Sequence, residues 1–140
     1  MAFLKARLDE DEAAAGAALE PAPLLGDTVT ASWHSDVEGC CIQDDANGWV
    51  AERVPSRAVA AHIALNDPAR VLREVAAKRA LIDAIFGYEA TIDGEWGDGH
   101  GPDQIAAGMC PDHLPDEIAA LLALAAVYSD HPDYDPAWRP

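Results

Sequence analysis

The chain has 140 residues, half of them hydrophobic, with 9 basic against 25 acidic residues and a formal net charge of −16. That length fits a single domain, expected to span residues 1–140, with enough apolar material for a core and against wholesale disorder. The charge disfavours direct nucleic-acid binding, which needs clustered Lys and Arg, and no run approaches the roughly 18 apolar residues of a membrane span.

The charge is unevenly spread. Residues 1–48 carry 2 basic and 10 acidic groups, residues 49–86 carry 6 and 4, and residues 87–140 carry 1 and 11. A mildly basic centre between acidic ends reads first as a means of solubility. It also allows an acidic nucleic-acid mimic that occupies a basic partner's groove. Three cysteines, Cys40, Cys41 and Cys110, make no disulfide framework. The start M-A-F-L-K-A-R-L-D-E-D-E turns acidic at once, unlike a secretory signal. A cytoplasmic protein with reduced thiols is expected.

The first element is a helix over residues 2–19. Phe3, Leu4, Leu8, Ala15 and Leu19 share one side at helical spacing, Asp9 to Glu12 form an acidic face, and Pro21 ends the run. Residues 28–54 change to strand character. Cys40–Gln43 and Trp49–Val54 flank Asn47-Gly48, a hairpin turn pair, so a β-hairpin is expected there. If Thr28–Trp33 joins it, the unit becomes a three-stranded antiparallel meander. Trp49 is the expected plug between this unit and the helices.

Residues 56–86 predict two helices with a sharp corner. Ser56 caps a short helix over Arg57–Leu65, with His62 on its apolar side; Asp67 caps the next, with Pro68 at its first position. Val71, Leu72, Val75, Ile82 and Phe86 then line one face, and Gly87 is the expected stop. Leu81 and Ile85 widen the apolar arc toward a second contact surface. Residues 88–114 are rich in glycine and turns, with a short helix over Pro102–Ala107. Residues 115–129 predict the last helix, and residues 130–140 a tail anchored by Tyr134 and Trp138. The fold class is α+β and mainly helical, with about four helices packed on the hairpin or meander.

Three blocks carry a family likeness: F-L-K-A-R-L-D-E-D-E-A-A-A at the start, H-I-A-L-N-D-P-A-R-V-L-R-E-V-A-A-K-R-A-L-I in the centre, and V-Y-S-D-H-P-D-Y-D-P-A-W-R-P at the end. On these the chain resembles a family of small proteins of unknown function from actinobacteria and their phages. The hairpin and central helices also resemble small phage accessory proteins. The likeness implies an actinobacterial or mobile-element origin and brings no activity, cofactor or catalytic residue.

Chemistry has few footholds in the residues themselves. Cys110-Pro111-Asp112-His113 is a C-x-x-H pair that suits a tetrahedral zinc, with His100 as a third ligand from the preceding glycine-rich loop. A closed structural site would need a fourth ligand. Against this, a buried cysteine and two loop histidines make an ordinary pattern. Cys40 and Cys41 read as small buried apolar residues, one inward and one outward. Ser129-Asp130-His131 holds three catalytic residue types, but consecutive side chains diverge and form no relay. No nucleophile elbow, phosphate loop or H-E-x-x-H is present. The expected function is therefore a non-enzymatic binding or adaptor protein without a cofactor. Its expected partners are proteins, with a homodimer through the central helix as one form. A small zinc-binding domain is the alternative.

Overall fold

The computed structural model describes residues 2–20, 29–35, 41–96, 100–107, 109 and 117–140. Among these lie α1 (Ala2–Ala17), β1 (Trp33–Ser35), β2 (Ile42–Asp44), β3 (Trp49–Ala51), α2 (Arg57–Leu65), α3 (Pro68–Trp96), α4 (Pro102–Ala106) and α5 (Glu117–Ala125). Short 3-10 turns follow at Ala126–Tyr128 and Pro136–Trp138. This is the mainly helical α+β class that the patterning predicts. No described helix is long and apolar enough to cross a membrane. The chain divides into two compact units, residues 10–75 and residues 1–9 with 76–140; the division falls inside α1 and inside α3.

The unit over residues 10–75 holds the sheet, a meander of order β1-β2-β3 with antiparallel pairing throughout. Its turns have local causes. Asn47 takes a positive φ of 63° at the β2–β3 turn, a conformation asparagine tolerates. The Ser56 hydroxyl accepts the Val59 amide at 3.3 Å and starts α2. Asp67 caps α3 by accepting the Arg70 amide at 2.6 Å, and its second oxygen accepts the Trp33 amide at 3.2 Å. One carboxylate thus fixes the helix corner and ties it to β1. Ile42, Val54 and Ala60 form the core here, with Trp33, Val50, Ala51 and Ile63 packed on them.

Two expectations fail in this unit. Trp49 is not the plug: it is 55% exposed, and Trp33 does the packing. Ile42 lies opposite Ala51, while Trp49 lies opposite Gln43 with a register shift between the two pairs, so the irregularity turns the indole outward. His62 is exposed rather than on the apolar side; Ala60 faces the core instead.

In the other unit, α3 does not stop at Gly87 but runs to Trp96, so residues 88–96 are helical rather than turn-rich. A glycine costs a helix interior about 1 kcal/mol. Buried Ile82, Ile85 and Phe86 hold the preceding turn, and Thr91 donates its hydroxyl to the Gly87 carbonyl at 2.9 Å. Ile85 belongs to that buried face, so the proposed Leu81/Ile85 surface does not exist as a pair. Leu4, Leu8, Ile105, Ala125 and Tyr134 are also buried in this unit.

Candidate functional site

Of the candidate zinc ligands, the structure places only His100, half-buried just before α4. Cys110 and His113 lie outside the described residues, as does Cys40; Cys41 is half-buried beside β2. Among the described residues no group of three His, Cys, Asp or Glu side chains is disposed to hold a metal ion.

The most elaborate side-chain cluster joins the start of α1 to the C-terminal tail. Phe3 stands one helical turn before Arg7, so both point to the same side of α1. The Phe3 ring meets Tyr128, His131, Tyr134 and Trp138 at centroid distances of 6.4, 5.9, 6.1 and 5.1 Å. Tyr134 and Trp138 meet each other edge to face at 5.7 Å. Arg7 is only 7% exposed. Its guanidinium lies over the Phe3 ring at 5.3 Å, and its Nη1 contacts both ring nitrogens of His131, Nδ1 at 2.6 Å. Asp133 closes the group, its carboxylate 3.9 Å from Arg7 and from His131. Asp135 caps the last 3-10 turn by accepting the Ala137 amide at 2.9 Å, which brings Trp138 back toward α1. The start of α1 and the end of the chain thus meet in this cluster.

A second cluster was hidden in the sequence by its ordinariness. Asp44, buried at the end of β2, accepts the backbone amides of Thr30 at 2.8 Å, Ala46 at 3.0 Å and Gly48 at 2.6 Å. The Thr30 amide holds its carboxyl below the usual aspartate value; burial opposes that shift, and the Gly48 and Ala46 amides and the Thr30 hydroxyl reinforce it. Three donors on one carboxylate make a structural knot for the β2–β3 turn. Only the Asp44/Gly48 spacing around Asn47 hinted at it.

An ion pair joins α3 to α1. Arg79 meets Asp9 at 2.7 Å beside a shallow groove of about 190 Å³ that Lys5, Leu8, Ile82 and Asp83 also line. Arg70 instead pairs along its own helix with Glu74 at 2.7 Å, and Lys78 lies over the Tyr128 ring at 5.6 Å.

The outward side of α3 differs from both clusters. Ala77, Leu81, Ala84 and Tyr88 recur at intervals of four, three and four residues, and all four are exposed. Leu81 is 46% and Tyr88 58% exposed. That interval pattern is the seam spacing of paired helices, and the alanines leave room for a close neighbour.

These features define a small mainly helical α+β protein with a folded-back tail and a bare helix face. A family model covering residues 1–140 matches the chain, which belongs to DUF6221, a family of unknown function. Comparison with curated proteins and with solved structures gives no match.

Proposed function

We propose that the protein is a non-enzymatic binding module that acts through the outward face of α3, with a second copy of itself as the first partner. The observation that carries this reading is the stripe Ala77, Leu81, Ala84 and Tyr88, exposed in a chain with a quarter of its residues charged. An exposed leucine and tyrosine in heptad register gain most by burial against an equivalent stripe. The acidic ends keep the protein soluble and restrict association to this neutral patch. The accessory role in a phage or other mobile element rests only on the resemblance of the hairpin and central helices to small phage accessory proteins, and the cytoplasmic setting only on the thiols and the charge.

Sedimentation velocity across a wide concentration range tests the reading. Wild-type protein is expected to sediment as a concentration-dependent dimer, and Leu81→Glu as a monomer with an unchanged circular dichroism spectrum. An exposed substitution of this kind shifts stability by only about 0.5 kcal/mol, so loss of the dimer cannot be blamed on unfolding. A wild-type monomer at every concentration refutes self-pairing.

A further inference from the structure

We propose that Asn47 is a site of spontaneous covalent modification, deamidation through attack by the Gly48 main-chain nitrogen, and that Asp44 is the lock that keeps it closed in the folded chain. This is independent of the α3 reading.

The dipeptide carries the chemistry. In deamidation the Gly48 nitrogen bonds to Cγ of Asn47, the Cγ–Nδ2 bond breaks, and ammonia leaves with the proton that the attacking nitrogen gives up. Water then opens the succinimide. Cleavage at Cγ leaves an aspartate, and cleavage at the main-chain carbonyl leaves an isoaspartate. Asparagine is a thermolabile residue, and a following glycine offers a nitrogen with no Cβ to hinder the approach. The chain has two asparagines. The other, Asn66, precedes Asp67, whose side chain is committed to the helix corner. Asn47 is exposed, so water reaches it and ammonia can depart.

The fold requires this labile pair. Asn47 sits at a φ of 63°, where asparagine is among the few tolerated residues that carry a side chain. A Cβ at position 48 would stand 3.1 Å from Asp44 Oδ1, so glycine alone fits without a shift of that carboxylate.

Asp44 closes the site from three directions. Its carbonyl accepts the Asn47 amide at 2.9 Å, and its own amide donates to the Gly48 carbonyl at 3.0 Å. These two bonds fix the peptides on either side of the Asn47–Gly48 bond. The third is decisive: the Asp44 carboxylate accepts the Gly48 N–H at 2.6 Å, holding the proton that the attacking nitrogen must lose. An amide anion formed there would face a carboxylate at hydrogen-bond distance. Asp44 is 1% exposed, so water does little to screen that repulsion. Attack must therefore wait for the turn to open.

The modification runs one way. Either product adds a negative charge to a turn that already holds Asp44 and Asp45. Isoaspartate also lengthens the main chain by one atom just before the Gly48 amide, which shifts that amide away from Asp44 Oδ1. The turn thus keeps a permanent record of having opened.

Peptide mapping by mass spectrometry on the full chain, incubated in mildly alkaline buffer, tests the lock. In folded wild-type protein Asn47 should deamidate at least about tenfold more slowly than in the same chain unfolded in urea, the factor that one hydrogen bond to a charged group supports. Asp44→Ala should raise the folded-state rate toward that of the unfolded chain. Hydrogen exchange supplies the second measurement. The Gly48 amide of folded wild type should be protected by the same factor, because one opening exposes the nitrogen to both reactions. The proposal is overturned if folded wild type and unfolded chain lose Asn47 at one rate. It is equally overturned if a folded Asp44→Ala protein keeps the wild-type rate. Should Asp44→Ala fail to fold, agreement between the two wild-type factors supports the lock and disagreement overturns it.

Discussion

Replacing Val75 by aspartate puts a charge where α3 has no room for one. Val75 is 2% exposed, so losing its methyl groups removes about 2 kcal/mol of burial. An uncompensated carboxylate in a core costs about 3–5 kcal/mol more. Together these approach the whole stability of a small domain, about 5–15 kcal/mol. Val75→Ala, which leaves only a cavity, should cost about 2 kcal/mol. Ala76→Asp places the same charge one residue along, on the exposed side, and should cost about 0.5 kcal/mol, mostly helix propensity. Urea titrations followed by far-ultraviolet circular dichroism at pH 8 keep the new carboxylate from escaping by protonation. The expected order of midpoints is wild type, Ala76→Asp, Val75→Ala and then Val75→Asp, with the last unfolded or nearly so in buffer. A soluble Val75→Asp protein with a midpoint near wild type would refute the view that Val75 belongs to the core of the unit over residues 10–75.

Two further outcomes follow from the sites. The Asp44 carboxyl lies below its ordinary value in the folded chain, so the native state binds fewer protons there than the unfolded state. Its stabilising contribution is present above the ordinary aspartate value and fades as the pH falls through it toward the lowered folded value. Acid unfolding of Asp44→Asn should therefore show a flatter pH dependence than wild type below pH about 4, and an identical slope would remove Asp44 as a source of acid lability. Tag-free protein analysed for metals should contain no stoichiometric zinc. One equivalent, lost in Cys110→Ala or His113→Ala, would replace the binding-module reading with that of a zinc-stabilised domain.

Legibility in the sequence followed the range of the interactions. Caps and turns act within a few residues, so Ser56, the Asp67-Pro68 corner and the Asn47-Gly48 turn could be placed without a structure. Helical periodicity likewise marked Val75, Ile82 and Phe86 as inward-facing. Spacing alone marks Cys110, His113 and His100 as candidate metal ligands. Among them the structure describes His100 only, and the cluster it does assemble centres on Arg7 and His131, which lie 124 residues apart. No spacing rule connects residues at that separation.

The sequence by itself determined what local sterics and hydrogen bonding control: where helices begin, which stretch alternates as strand, and which helix face is apolar. Tertiary packing decided the rest. It chose Trp33 over Trp49 for the core, because a register irregularity in the sheet sends Trp49 outward. It carried α3 through Gly87, because buried neighbours outweigh a propensity cost of about 1 kcal/mol. It buried the Arg7 guanidinium beneath the tail, against the Phe3 ring and an imidazole 124 residues away. Burial is a property of the neighbours a side chain acquires, and only the folded chain supplies them.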